Sequence, residues 1–231
     1  MGDYGFDRFK AELKLRLGQR PDFNSPTDWI GRWVNQAYAR LTSGNRLFGL
    51  QKNFYFPELE TISSSISTVD GTAYVTTPTD ALVVRSVWNS TSDVVFDNIG
   101  WDTYLASPGR ADTNAEGPPT AWVRSGARLY LRPTPDAVYA LYAYYRKRPA
   151  ALTGTTATVI GAEWDDVIVL MAACQAYSTQ GDYEHLKQTK EDLAERIGEL
   201  MGLYDQEAKT QKNWFQMDPS YRDNGSGGYG G

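Results

Sequence analysis

Apolar positions divide this chain into three stretches with different spacing. Near both ends, apolar residues recur every three or four positions, as on one face of a helix. Between Leu47 and about Pro149 they recur every second position, which is typical of strands. The pattern therefore predicts an α+β fold, with a helical bundle built from both termini and an inserted antiparallel β-sandwich-like domain.

Two helices are expected before the strands. The first should run from Tyr4 to Leu17, because its apolar residues share one face. The second should begin with Ser25 as N-cap and Pro26 at the first helical position, and Asp28 should reach back toward the cap. Its wide apolar stripe continues to Leu41.

The middle of the chain predicts a series of short strands. Those before the last pair are Asn53 to Glu58, Thr61 to Val69, Ala73 to Thr76, Leu82 to Trp88, Val94 to Asn98 and Ala121 to Arg124. The last two, Arg128 to Arg132 and Ala137 to Tyr145, are expected to pair as a hairpin closed by the turn Pro133-Thr134-Pro135. Asp70-Gly71 is a further hairpin turn signal, since both residues tolerate positive φ.

A second helical block follows the strands. It should start near Ala162, with acidic residues in the first turn where they meet the helix dipole. After a turn at Gly181, a long helix is expected from Asp182 to about Thr210. Its heptad positions are apolar apart from Lys190, and they are Tyr183, Leu186, Lys190, Leu193, Ile197, Leu200 and Tyr204.

Two glycines and four large apolar residues near the C-terminus are candidate contact points. Gly198 and Gly202 lie one turn apart, and close packing against a neighbouring helix would explain them, although surface glycines are also tolerated. Trp214, Phe215, Met217 and Tyr221 stand in an otherwise polar tail. Such residues usually pack back on their own helix, but they can also anchor a partner.

These features predict four segments. They are residues 1–49 with the N-terminal helices, 50–150 with the inserted β-domain, 151–210 with the helix pair that completes the bundle, and an extended tail at 211–231.

Composition narrows the class of function. The 231 residues carry a formal charge of −5 and 13% aromatic residues. An acidic balance argues against a nucleic-acid-binding surface, and many large rings suit sheets and interfaces. The single cysteine cannot form an internal disulfide. With no signal core and no apolar run of about 20 residues, the sequence predicts a protein that is made in the cytoplasm and does not enter a membrane.

No catalytic, cofactor or metal site is predicted. Cys174 and His185 flank the turn at Gln180, but a working dyad also needs an oriented imidazole and an oxyanion site. A buried helical cysteine beside an exposed histidine is much the commoner arrangement. The basic run Arg146-Lys147-Arg148 is interpreted as the solvated end of a strand.

The order of elements resembles the head-to-tail adaptor (connector) proteins of tailed bacteriophages, in the type with a β-domain inserted in a helical bundle. The segments that carry the resemblance are LRLG (15–18), WIGRWVNQAYARL (29–41), TTPTDAL (76–82), LYLRPTPDAVYALYAYYRKRP (129–149) and EWDDVIVLMAA (163–173). No one of them is specific; their order and spacing carry the likeness, which extends to about Tyr204.

The resemblance implies a structural virion protein at the head-tail interface that takes part in genome ejection. It implies a ring, of about twelve copies, between the portal protein and tail or nozzle proteins, through which DNA passes without specific binding. Docking to the portal would use the C-terminal segment, which places Trp214, Phe215, Met217 and Tyr221 in that role. Two other classes stay open: an aromatic-rich carbohydrate-binding β-sandwich module and, more weakly, an enzyme that uses Cys174.

Overall fold

The structure is a computed structural model that describes residues 5–19, 23, 28–43, 56–106 and 116–202, and the backbone of the last helix as far as Phe215. The chain forms two compact units. The β unit comprises Met1–Arg8 and Asn35–Ala162, and the helical unit comprises Phe9–Val34 and Glu163–Gly231. The predicted division at residues 49, 150 and 210 stays a prediction.

The described residues contain five α-helices, which are α1 (Phe6–Arg16), α2 (Trp29–Ser43), α3 (Trp101–Ala106), α4 (Asp165–Gln180) and α5 (Tyr183–Phe215). Helices α1, α2, α4 and α5 match predicted helices to within a few residues. Helix α3 was not predicted, because six residues span less than two turns and leave no periodic signal.

In the described part of the chain, eight strands build one curled mixed sheet, which confirms the predicted α+β class. They are β1 (Glu60–Ile62), β2 (Ile66–Ser67), β3 (Tyr74–Thr76), β4 (Ala81–Asn89), β5 (Val94–Asn98), β6 (Ala121–Ser125), β7 (Arg128–Arg132) and β8 (Ala140–Lys147). Their order is β1-β8-β4-β5-β6-β7-β3, and β2 also pairs with β8. The expectation of a wholly antiparallel sheet needs one correction, because β5 and β6 pair in parallel.

The predicted hairpin between the last two strands does not form. Strand β7 pairs with β6 on one side and β3 on the other, so neither of its edges is open to β8. Its hairpin partner is the preceding strand β6, joined through Gly126, whose φ of 58° suits a tight turn. Strand β8 pairs instead with β1, β2 and β4.

Two other strand predictions are wrong in part. Of the strand expected from Asn53 to Glu58, residues 53–55 lie outside the described residues, Phe56 is not in a strand, and Pro57–Leu59 forms a 3₁₀ turn. The expected strand from Thr61 to Val69 is divided between β1 and β2. The division falls at Ser63, whose hydroxyl accepts the N–H of Ala143 and whose own N–H donates to the same residue's carbonyl.

The core of the β unit lies on one face of the sheet. Phe96 and Ala143 are each paired with Val87 in register, and all three side chains are buried. Leu129 and Leu131 of β7 and Trp122 of β6 extend the same cluster. Apolar alternation therefore does identify which strand positions face the core.

Arg124 connects strands that are not neighbours in the sheet. From β6 its guanidinium donates to the carbonyl oxygens of Leu82 (2.8 Å) and Ala81 (2.9 Å) on β4, and to that of Gly126 (3.2 Å). Strand β5 separates β4 from β6 in the strand order, but it pairs with β6 only at its last two residues. The arginine supplies hydrogen bonds where the backbone ladder is missing.

Polar contacts join the second half of α2 to the rest of the β unit. Asn35 forms a reciprocal pair with the backbone of Leu152, donating to its carbonyl (3.1 Å) and accepting its N–H (2.7 Å). Arg146 is buried and donates to the carbonyl oxygen of Thr42 (2.6 Å). The interpretation of the basic run as a solvated strand end is therefore wrong for Arg146, because its side chain is buried and hydrogen-bonds to the backbone of α2.

In the helical unit, α2 begins differently from the prediction. Asp28 is the residue before the helix, and its Oδ1 accepts the N–H of Gly31 (2.8 Å), so Asp28 itself is the N-cap. The predicted cap Ser25 and first residue Pro26 lie outside the described residues. Trp33 is buried in this unit against the edge of Phe23, with 5.3 Å between ring centroids.

Helices α4 and α5 pack together across a turn at Gly181, which has φ 73°. Helix α4 is buried on all sides from Val167 to Ala176. The buried face of α5 is made by Leu186, Thr189, Leu193, Ile197 and Leu200. The heptad prediction is wrong at two places, because Tyr183 and Lys190 are exposed. A straight helix with 3.6 residues per turn drifts from a strict heptad, and here its buried face takes Thr189 instead of Lys190.

Candidate interaction surfaces

The first candidate surface is apolar and lies on the outer face of the sheet. Two adjoining cross-strand rows contribute, and the paired residues of a row point to the same side. In one row Ile62 is paired with Tyr144. In the other row Trp88 is paired with Val95 on one side and with Tyr142 on the other. These five residues, which we name the outer patch, point away from the core row of Phe96, Val87 and Ala143.

The two sides of the outer patch are open to solvent, and its aromatic centre is half-buried. Ile62 is 57% exposed and Val95 is 64% exposed. Trp88 stacks on Tyr142 with 5.7 Å between ring centroids and 20° between ring planes, so the centre of the patch is ordered by an aromatic pair. A contiguous apolar face of this kind on a folded unit marks an interaction site more often than scattered apolar residues do.

The second candidate surface is an aromatic cluster on the outer face of β7 and β3. Trp101 stacks on Tyr104 (5.1 Å, 11°), and both rings meet Tyr130 edge to face. Tyr74, paired in register with Tyr130, extends the series. We name these four residues the aromatic cluster. Trp101 is 40% exposed and Leu105 on the same helix is also exposed, so one end of the cluster faces solvent.

Two arginines lie on the aromatic cluster. Arg128, Tyr130 and Arg132 alternate along β7 and therefore share its outer face. The guanidinium carbon of Arg128 is 4.1 Å from the ring centroid of Tyr74, and that of Arg132 is 4.5 Å from the ring centroid of Tyr104. Each pair is a cation–π contact, which fixes the positive charge over the ring face.

Charge is distributed unequally between the two units. Of the 23 basic and 28 acidic residues, the β unit holds twelve of each, which leaves eleven basic and sixteen acidic residues in the helical unit. The formal charge of −5 therefore belongs to the helical unit. Any surface of that unit that faces nucleic acid would repel phosphate unless basic residues are concentrated there.

Comparison with known proteins identifies the kind of protein that carries these surfaces. The sequence model of the SU10 adaptor protein family matches residues 6–217. The chain belongs to this family. The matched range spans both compact units and runs through α5. No curated protein matches the chain.

Membership confirms the resemblance to phage head-to-tail adaptors. The protein is a structural adaptor of a bacteriophage, and its family implies a place in the virion and contacts with portal and tail proteins. Such a role indicates an assembling part and not a catalyst. Neither candidate surface of the adaptor was predicted from its sequence.

The candidate residues on α5 and the tail of the adaptor are only partly within the described structure. At Gly198 and at Gly202 an added Cβ would meet no atom within 4 Å in the described part of the chain. Close packing at these glycines stays a prediction. Trp214 and Phe215 lie in the last turn of α5 with side chains outside the described residues, and Met217 and Tyr221 lie outside them altogether.

Cys174 and His185 do not form a dyad in the adaptor. Cys174 is fully buried on α4, and burial raises the pKa of its thiol to about 11. His185 is exposed, lies 2.7 Å from Oδ2 of Asp182 through Nδ1, and stacks on the ring of Tyr177. The thiol therefore lacks the thiolate character that a nucleophile needs.

Among the residues that the structure describes, no group of three or more His, Cys, Asp or Glu side chains could hold a metal ion. Over the same residues, no helix is long and apolar enough to cross a membrane.

Proposed function

We propose that the adaptor forms a ring of about twelve copies between the capsid portal and the tail, and that this ring surrounds the channel through which DNA leaves. The observation that carries the proposal is the family match over residues 6–217, which spans the helical unit and the β unit alike. A protein that joins two rings of the virion needs several separate contact surfaces on one subunit, and the β unit alone offers two.

The charge of the helical unit supports passage of DNA without specific binding. Sixteen acidic residues against eleven basic ones give this unit all of the net negative charge. If the helical unit lines the channel, its field keeps phosphate away from the wall, and DNA slides instead of adhering.

Docking to the portal is assigned to the C-terminal segment. Helix α5 has 33 residues, about 50 Å at 1.5 Å per residue, and its end carries Trp214 and Phe215. Met217 and Tyr221 follow in the sequence. Large apolar residues in a polar segment dominate binding energy when they enter pockets of a partner.

Deletion of residues 211–231 tests this assignment. Wild-type adaptor should co-sediment with purified portal rings and appear as an added ring in negative-stain images, whereas the truncated protein should melt like wild type and remain in the supernatant. Trp214→Ala with Phe215→Ala should reproduce the loss, and Lys212→Ala in the same segment should not. Full binding by the truncated protein would move the portal contact to one of the two units.

Gly198 and Gly202 provide a second test, of contacts between copies. Because a Cβ at either position would meet no atom within 4 Å among the described residues, Gly198→Ala should stabilise the free subunit by about 1 kcal/mol through helix propensity. If α5 packs closely on a neighbouring copy at this point, the same change weakens the ring. A variant that melts higher and still assembles normally would show that these glycines are surface positions.

The carbohydrate-binding alternative makes a different prediction. Trp101 has one face stacked on Tyr104, and its other face could carry a sugar. A glycan array probed with the free subunit checks this. Glycan affinity that Trp101→Ala abolishes, in a chain that never joins portal rings, would favour the binding module.

A further inference from the structure

We propose that neighbouring copies of the adaptor contact each other head to tail through the β unit, with the outer patch of one copy seated on the aromatic cluster of the next. The inference rests on the proposed ring and adds the surfaces that build it. Both surfaces belong to the same compact unit but to different strands, the outer patch to β1, β8, β4 and β5 and the aromatic cluster to β7, β3 and α3.

A closed ring requires two different contact surfaces on each copy. A single self-complementary patch pairs face to face and stops at a dimer. Two unlike patches that fit each other propagate from copy to copy, and they close into a ring when the rotation between copies divides a full turn. The outer patch is aliphatic and aromatic, with exposed Ile62 and Val95 at its two sides. The aromatic cluster presents a partly exposed tryptophan, which is the kind of side chain that anchors interfaces.

Charge also matches between the two surfaces. Asp97 follows Val95 by two positions on β5, so it shares the outer face and lies beside the outer patch, where it is exposed. Asp93 is exposed in the tight turn that precedes β5. The aromatic cluster carries Arg128 and Arg132. Carboxylates at the edge of one surface and guanidinium groups on the other favour this pairing and disfavour either surface pairing with itself.

The size of the outer patch indicates when the contact forms. Four strands about 4.8 Å apart and two rows of side chains give a face of roughly 300 Å². A stable pair of proteins needs about 800 Å² from each partner. The contact is therefore too small to hold two isolated copies, and it becomes stable when portal docking raises the local concentration and every copy uses both surfaces.

Cross-linking on portal rings tests the pairing directly. Val95→Cys with Leu105→Cys in one chain places thiols on the outer patch and beside the aromatic cluster, while the native Cys174 stays buried. With a short bismaleimide this double variant should give a ladder of adaptor oligomers. Val95→Cys alone should give no adaptor dimer, and Val69→Cys with Leu105→Cys is the matched control, because Val69 is equally exposed but outside the outer patch.

Charge insertion tests the same contact in a second way. Val95→Glu should leave the melting temperature of the free subunit unchanged, because Val95 is 64% exposed, and Leu105→Glu should lower it slightly, because Leu105 is 37% exposed. Each variant should lower the yield of rings on portals by at least about tenfold. Val69→Glu should assemble normally. A mixture of the two defective variants should not restore rings, because each variant retains only one intact surface.

The outcomes separate this inference from the proposed function. Rings that form with Val95→Glu and yield no ladder from the double cysteine variant would overturn the pairing and leave the ring intact. Dimers from Val95→Cys alone would show that the outer patch pairs with itself, and cross-links to the portal would make it a portal contact; either result overturns the inference. Failure of wild-type adaptor to form rings on portals would overturn the proposed function and the pairing together.

Discussion

Arg124 offers the sharpest test of how the β unit is held together. Its guanidinium crosses from β6 to two carbonyl oxygens of β4, a pair of strands that share no backbone ladder. Arg124→Met keeps an unbranched apolar stem of similar length up to the position of Nε and removes every donor. The carbonyl oxygens of Leu82 and Ala81 then lose their charged partner.

The cost follows from the two bonds. A hydrogen bond to a charged group contributes about 1.5–3 kcal/mol, and Arg124 is only half-buried, which reduces the contribution of each bond. We expect a loss of about 3 kcal/mol in the free energy of unfolding. For a chain of this size, 1 kcal/mol corresponds to about 2–4 °C in melting temperature, so the β unit should melt about 9 °C lower.

Calorimetry of the purified subunit measures this loss, and Arg128→Met is the matched control. Arg128 lies in the same hairpin, is exposed, and contributes one cation–π contact of about 0.5–1 kcal/mol with Tyr74. Arg124→Lys, which can reach one carbonyl, should melt between wild type and Arg124→Met. If Arg124→Met melts no lower than Arg128→Met, Arg124 adds nothing to the packing and the short β5–β6 pairing that join the two halves of the sheet, and the reasoning is refuted.

Three other measurements address single contacts. Asp28→Ala should lower the stability of the helical unit by about 1 kcal/mol, because α2 loses its N-cap. Asp28→Asn should cost little, since asparagine is also a good N-cap. If the two variants lose the same stability in denaturant melts, Asp28 does not act as a cap. Cys174 should react with a thiol reagent at pH 8 far more slowly in the folded chain than in denaturant, because burial raises the pKa of its thiol to about 11. Equal reaction rates in the two conditions would contradict the burial of Cys174. Burial and a hydrogen bond to Asp80 raise the pKa of the Tyr145 hydroxyl to about 12. The stability that the protonated hydroxyl contributes is therefore complete below pH 10 and is lost as the pH rises toward 12. Tyr145→Phe should abolish this alkaline loss in pH-dependent melts, and an unchanged profile would assign the loss to other groups.

The sequence predicted the faces of the strands better than their partners. Strand β5 occurs with the predicted bounds, and so does β7, because alternation reports which residues face the core. The pairing of β7 with β8 was wrong, since alternation carries no information about which strand lies alongside. Gly126, between β6 and β7, is also a turn residue, and it indicates the hairpin that forms; the turn at Pro133 and Pro135 does not close one.

The two candidate surfaces show why function was harder to locate than fold. Trp88 and Tyr142 are apolar residues on strands that are also apolar on their inner face. In sequence, such a strand looks fully buried, and only the structure shows that one side is open. The aromatic cluster combines residues from β3, α3 and β7, which are distant in sequence, so no local motif could reveal it.

The helical unit is assembled from the two ends of the chain, and this has a consequence for how the adaptor is made. The hydroxyl of Tyr177 donates to the carbonyl oxygen of Arg16, across 161 positions of sequence. A ribosome that adds about 5–20 residues per second needs on the order of 10–30 s between the two segments. Throughout that interval the apolar faces of the first helices, with Phe9, Leu13 and Ile30, have no C-terminal helices to complete their unit. The nascent adaptor therefore passes through a period in which these apolar faces are prone to aggregate, while the strands of the β unit are synthesised and can fold before the helical unit is complete.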